Sequence, residues 1–254
     1  MEAGRDTDVV VEQDGAVLVV RLNRPHAMNS IDSSVVEGLR AAFSRLDSDR
    51  GLRSAVLTGT NTCFSAGMDL KAFQREGAPP HIEELFRGVA SKPVIAAVEG
   101  VALAGGLELA LACDLIVSGR GGRFGIPEVR VGLFAGGGGL LRLPRMLPYG
   151  VAVQMALTGD PLSADRAHAC GLVAELTEPG AALGVALQLA HRIAQNSPRG
   201  VAASKAVMRH AVGASDDDFW AWQRPYLEAA LRSPDAMEGV AAFSERRSPV
   251  WPSI

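Results

Sequence analysis

A glutamate one turn inside a helix that opens on glycines, and a second glutamate twenty residues later behind a glycine and a proline, are the groups in this sequence best suited to move protons. The first lies in Gly100-Val101-Ala102-Leu103-Ala104-Gly105-Gly106-Leu107-Glu108, where small residues lead directly into a helical run. A helix start leaves its first N–H groups without internal partners, and together with the dipole these suit an oxygen that gains negative charge. Glycine there lets a ligand approach the backbone closely. Taken alone, the segment is also a tight strand-to-helix turn whose Glu108 complements the dipole.

Three further segments carry the same kind of signal. Cys63-Phe64-Ser65-Ala66-Gly67-Met68-Asp69-Leu70-Lys71 follows an apolar run and can supply another N–H donor, although Asp69 as an ordinary helix cap explains it equally. Arg123-Phe124-Gly125-Ile126-Pro127-Glu128 holds a carboxylate on a stiffened loop, where a solvated acid is the plainer reading. Gly132-Leu133-Phe134-Ala135-Gly136-Gly137-Gly138-Gly139-Leu140 has the look of a phosphate cradle but lacks a following Lys-Ser/Thr. Close backbone packing beside a substrate is the favoured reading of these four glycines.

The elements that must position these groups read as an α/β alternation. Apolar runs at 9–12 and 16–22 flank an Asp14-Gly15 turn and predict a hairpin. A helix is expected over roughly 32–47, capped by Asn29 or Ser30, and strands at 54–58, 93–98 and 115–118 with a helix at 105–112. Helical patterns follow at 140–147 and 152–157. Ser163 caps a short helix closed by Gly171, and residues 172–176 return as a strand. Past Gly180 a helix carries Leu183, Leu187, Ala190 and Ile193 on one face, and breaks at Asn196-Ser197-Pro198. The break divides the chain into a core, 1–196, and a three-helix remainder, 197–254, in which Ser233-Pro234 forms a cap and first-turn pair.

Composition removes other classes. Lys plus Arg number 25 against 28 Asp plus Glu, so a net charge of -3 provides no broad field for nucleic acid or an anionic membrane. The three cysteines, Cys63, Cys113 and Cys170, form no CxxC and are read as buried, reduced thiols of a cytoplasmic protein. The start, with Glu2, Arg5 and Asp6, has no apolar signal region. The apolar stretch 94–117 is interrupted by Glu99, Glu108 and Asp114, which favours buried strands and a helix over a membrane span. No GxGxxG or GxxxxGK[ST] supports a nucleotide site. His81, His168, His191 and His210 make no metal-like spacing, so no metal is expected. Ser65 lacks an assignable His-Asp relay.

In this order, and with Val17 through Pro25, Lys92 through Val98, Leu157-Thr158-Gly159-Asp160 and Ala167 through Val173, the four segments resemble the crotonase (enoyl-CoA hydratase/isomerase) family. The resemblance implies an α/β fold of the ClpP/crotonase-like type, a spiral of ββα units with a C-terminal helical trimerisation region, as a homotrimer or dimer of trimers. It implies an oxyanion hole from the backbone N–H groups of Met68 and Gly105, with Glu108 and Glu128 as the catalytic acids. Both acids being present tilts the expectation to an enoyl-CoA hydratase, ahead of an isomerase or a non-catalytic acyl-CoA-binding protein. The acyl-CoA thioester is expected to contact Arg24, His26 and Ala27, then Ala66, Asp69, Leu70 and Lys71, and also Pro127 and Gly136. Lys71 and Arg246 of the partner subunit are candidates for its phosphates. No cofactor is implied beyond the coenzyme A of the substrate. His26, Met68, Ala104 and Ala135 depart from residues common in relatives, and 72–90 falls in the family's variable pocket wall, which leaves the acyl chain length unread.

Overall fold

The computed structural model describes residues 7–252; the polar start at Glu2, Arg5 and Asp6 lies outside them. The expected hairpin is β1 (Val9–Asp14) and β2 (Val17–Leu22), antiparallel, with Asp14 opposite Val17 and Gly15 at φ 58°. After a 3-10 turn at Pro25–Ala27 comes α1 (Ser33–Ser48), and then β3 (Ser54–Thr58), β4 (Cys63–Ser65), α2 (Leu70–Glu76) and α3 (Ile82–Arg87). The next units are β5 (Val94–Val98), β6 (Val101–Leu103) and α4 (Gly105–Ala112), followed by β7 (Leu115–Gly119) and β8 (Arg123–Gly125) with a 3-10 turn at Pro127–Val131.

After the hairpin, each of the pairs β3/β4, β5/β6 and β7/β8 sends its first strand to one sheet and its second to another. The large sheet has the order β1-β2-β3-β5-β7, completed by β10 (Glu175–Thr177), and is parallel from β2 onward. The small sheet stacks β4, β6 and β8 in parallel and ends on the antiparallel β9 (Leu162–Ser163). This is the expected spiral, and the small sheet gathers β4, β6 and β8, where three of the four candidate segments begin.

Period-two burial explains the layers. Leu18, Val20, Ala55, Leu57, Ala96 and Val98 point to the main core with α1 and α4, while Val17, Val56, Ile95, Ala97 and Val117 point to the other face. That second face is covered by α8 (Ala182–Ala194), whose buried side chains are Ala182, Ala186 and Ala190. Small residues let this helix approach the strands, and the Ser54 hydroxyl donates to Ala190 O at 3.1 Å. Along the chain, α8 is preceded by α5 (Gly139–Met146), α6 (Tyr149–Thr158) and α7 (Ala164–Ala169), the last capped by Ser163 as expected.

Beyond Ser197, whose hydroxyl caps it, α9 (Pro198–Ala211) packs against α10 (Asp216–Leu231) and α11 (Pro234–Glu245), and Ser233 caps the last. Some expectations need correction. The cap of α1 is Asp32, which accepts from Val35 N at 3.0 Å; Asn29 and Ser30 are used elsewhere. The strand expected at 172–176 is only β10, because Leu172 and Val173 turn into the core after Gly171. Cys113 and Cys170 are half-buried, unlike Cys63. The apolar stretch 94–117 divides into β5, β6, α4 and part of β7, and no helix among the described residues is long and apolar enough to cross a membrane.

Candidate active site

The turn after β4 is held from both sides so that one amide is left over. Ser65 donates to Asn29 O at 2.8 Å and accepts from Gly67 N at 3.2 Å, which commits its hydroxyl and removes the nucleophile reading. Ile31 N donates to Gly67 O, and Asp69 N to Ile31 O. Between these bonds the Met68 N–H finds no acceptor among the described residues. Asp69 caps α2 by accepting from Lys71 N and Ala72 N, and its carboxyl is held below the ordinary range chiefly by the Ala72 N–H, with Arg24 and Ser30 assisting.

The second turn, after β6, meets the first. Ala104 sits at φ 50°, ψ -131°, a region that favours glycine, with its N–H on Gly125 O at 2.9 Å. Gly105 then starts α4, and its N–H also lacks an acceptor among the described residues. A Cβ on Gly67 would lie 3.0 Å from Gly105 N, and one on Gly105 would lie 3.6 Å from Met68 N. The two free amides therefore flank one spot at a helix N-terminus, the arrangement that stabilises an oxyanion. The strain at Ala104 has a consequence for stability. Ala104→Gly is expected to stabilise by about 1 kcal/mol, the strain relieved exceeding the unfolded-state entropy gained. This is checked by thermal unfolding, as a rise of about 2–4 °C.

Glu108, on the next turn of α4, is 3% exposed. Its Oε1 accepts from Gly139 N at 2.9 Å. Burial pushes its carboxyl above the ordinary range, against the opposing pull of the Gly139 and Gly137 N–H groups and the Arg142 guanidinium. Glu128 stands in the 3-10 turn after β8, begun by Pro127. Its Oε2 is buried and has no hydrogen-bond partner among the described residues. Burial raises its carboxyl as well, and the charge of Glu108 raises it further, so Glu128 lies within electrostatic reach of Glu108.

The glycine run seats the first carboxylate. A Cβ on Gly137 would come within 2.6 Å of Glu108 Oε2 and 2.5 Å of the Phe86 ring, and one on Gly139 within 3.2 Å of Glu108 Oε1. The run thus packs closely against a carboxylate and is no phosphate cradle. Phe86, from α3 and 7% exposed, lies against both Gly137 and Gly105 and joins the two halves of the site. Sequence reasoning missed Phe86, for which no local signal exists. It named Gly136, which is exposed and points its absent Cβ only toward Phe134; Gly137 and Gly139 are the glycines that touch Glu108.

The remaining expected contacts fall into two groups. Residues 24–28 and 66–71 are brought together, by Ala66 N on Met28 O at 3.0 Å and by Arg24 on Asp69 at 3.2 Å. The Arg24 guanidinium, 12% exposed, also pairs with Asp32 at 3.0 Å and Asp8 at 3.7 Å, so its charge stitches the two segments together. His26, Leu70 and Lys71 are exposed beside it, and Ala27 and Ala66 are half-buried. Pro127 is half-buried against Gly159. Arg246, exposed at the end of α11, belongs to the helical remainder. An open hollow of about 500 Å³ between α9 and α10, lined by Ala206, Tyr226 and Ala230 among others, shares no residue with the two acids and has no comparable pair of carboxyls. Among the described residues no cluster of three His, Cys, Asp or Glu is placed to hold a metal.

The Enoyl-CoA hydratase/isomerase family model matches residues 12–253. The chain is 36% identical over 253 residues to enoyl-CoA hydratase EchA19 of Mycobacterium tuberculosis, covering 95% of each chain. It is 37% identical to the carnitinyl-CoA dehydratase of Salmonella arizonae, covering 94% of this chain and 96% of that one. The crystal structure of an enoyl-CoA hydratase from Mycobacterium tuberculosis H37Rv superposes with a TM-score of 0.92 at 50% identity, over 98% of this chain and 100% of that one. The chain belongs to the enoyl-CoA hydratase/isomerase (crotonase) family.

Proposed function

We propose that the protein is an enoyl-CoA hydratase, a hydro-lyase that adds water reversibly and syn across a 2-enoyl-CoA thioester. The observation that carries this reading is the pair of carboxyls raised by burial, Glu108 and Glu128, the second raised further by the charge of the first, together with two unpaired amides at the start of the helix that carries Glu108. The thioester carbonyl oxygen sits between Met68 N–H and Gly105 N–H, where enolate charge develops and is stabilised more strongly than in the ground state. Glu108 takes the proton of the water that attacks C3, and Glu128 delivers a proton to C2; dehydration exchanges their roles. Coenzyme A lies along the joined segments 24–28 and 66–71, with Lys71 and Arg246 of the partner subunit toward its phosphates. No cofactor beyond the substrate's own coenzyme A takes part in these steps.

Hydration needs one acid and one base, and two raised carboxyls, one of which feels the charge of the other, titrate as a coupled pair. The kcat/KM profile for a short 2-enoyl-CoA is therefore expected to be bell-shaped. Its acid limb, where the last ionised carboxyl gains a proton, lies above the ordinary carboxylate range because burial disfavours the charge. The alkaline limb marks loss of the single remaining proton. Turnover of 2-enoyl-CoA thioesters of increasing length, followed across pH, tests both points. A double-bond shift without water addition identifies an isomerase, and binding without turnover identifies an acyl-CoA-binding protein.

A trimer or dimer of trimers built by residues 197–254, and a cytoplasmic location, belong to the same proposal. Its support is the apolar surface of α10 and α11, where Trp220, Leu227, Leu231, Val240 and Phe243 are exposed in the single chain.

A further inference from the structure

Phe86 owes its place to the end of α3, a helix too short to hold itself. Its last carbonyls have no partners within the helix. Arg142, from α5, donates Nη2 to Phe86 O at 2.5 Å and reaches Arg87 O at 3.3 Å. Arg209, from α9 in the helical remainder, donates Nη2 to the same Arg87 O at 2.9 Å. Glycines make room for both: a Cβ on Gly138 would lie 2.3 Å from Arg142 Nη1, and one on Gly88 would lie 2.1 Å from Arg209 Nη2. Two cations converging on the C-terminal carbonyls of α3 also suit the sign of its dipole.

We propose that Arg142 and Arg209 are positioning residues, a clamp that fixes the Phe86 ring between Gly105 and Gly137 and so couples α9 to the shape of the acyl pocket. The acyl part of this proposal rests on the hydratase reading, whereas the clamp itself does not. Neither arginine touches the reacting atoms. Both hold the backbone of α3 and with it a ring that packs against the start of α4 on one side and the seat of Glu108 on the other, while Arg142 also bears on the Glu108 carboxyl through its charge. Because Arg209 comes from the region outside the spiral, a change in how α9 docks is transmitted to the wall of the site.

Arg209→Met is the cleaner test because Arg209 lies far along the chain from the catalytic turns; Arg142→Met, Arg142→Lys and Arg209→Lys accompany it. Amide hydrogen exchange reads the clamp without reference to activity. In Arg209→Met the amides of 82–88 are expected to exchange about 10-fold faster, the loss of one charge-assisted hydrogen bond, with α4 and the large sheet unchanged. The ratio of kcat/KM for a long 2-enoyl-CoA to that for a short one is expected to shift about 10-fold, mainly through KM, with partial restoration in the Lys variants. Unchanged exchange at 82–88, or acceleration spread evenly over the molecule, overturns the clamp. A uniform fall in turnover for every chain length overturns its role in selectivity. Should the unaltered protein hydrate no enoyl-CoA at all, the hydratase reading fails and the exchange result still decides the clamp.

Discussion

Glu108→Gln and Glu128→Gln are each expected to lower kcat for hydration about 1000-fold, within the range supplied by one positioned acid or base. The double variant is expected to fall little further, because removing either member already stops a concerted exchange of protons. Steady-state kinetics on a short 2-enoyl-CoA measures all three. The same substitutions are expected to act on stability in the opposite direction. Both carboxyls have folded-state values raised by burial above those of the unfolded chain. The folded state therefore keeps protons that the unfolded state has released, and stability is lost as pH rises from the unfolded value through the folded one. Glu128→Gln, which has no charge to bury, therefore raises the denaturation midpoint more at neutral pH than at about pH 4, where the unfolded carboxyl is itself largely protonated. Equal midpoints at both pH values contradict the assignment of burial as the cause. Glu108 follows the same rule less cleanly, since the amide replacing its Oε1 must still accept from Gly139 N.

The second large effect is expected at a residue with no side chain. A methyl on Gly67 would come within 2.7 Å of Ala104 Cβ, 2.9 Å of Leu103 O and 3.0 Å of Gly105 N, at φ +99°. Gly67→Ala must therefore push the two turns apart and move Met68 N–H from Gly105 N–H. Loss of one oxyanion donor costs roughly 100- to 1000-fold in rate, and strain of about 1–3 kcal/mol falls on the fold in addition. The two are separable. A strained but folded variant keeps its far-ultraviolet dichroism and binds coenzyme A thioesters while kcat drops by that factor. A variant with kcat within threefold of the unaltered protein contradicts the role given to these amides.

These groups were legible in the sequence to different degrees. Strands β3, β5 and β7 are continuous apolar runs buried on both faces, so their limits could be read closely. Strands β4, β6 and β8 have three residues each and exist only because they stack on one another; no periodicity fits in three positions. Asn29 and Ser30 are as good caps by type as Asp32, and what excludes them from capping α1 is distant. The Asn29 amide donates to Cys63 O and Phe64 O, and the Ser30 hydroxyl to Asp69. Glu108 stands out by its helix start, whereas Glu128 is one acid among many until β7 and β8 bring it within electrostatic reach of Glu108. The glycine run does pack closely, though against Glu108, a partner the sequence does not name for it, and which glycine touches what depends on a phenylalanine about fifty residues away in the chain. Phe86 falls inside the 72–90 stretch that the resemblance makes a pocket wall, but nothing local singles it out, because what distinguishes it is the pair of arginines that hold the backbone at the end of its helix.

The central claim is that a thioester oxygen is received by two main-chain amides while a pair of acids addresses the adjoining carbons. A crystal structure with an unreactive acyl-CoA thioester bound measures this directly. The account predicts the carbonyl oxygen within about 3.2 Å of both Met68 N and Gly105 N, with the carbons next to it lying between the Glu108 and Glu128 carboxyls. A carbonyl oxygen beyond hydrogen-bonding reach of both amides, or an acyl chain that leaves either glutamate facing only protein, would contradict it.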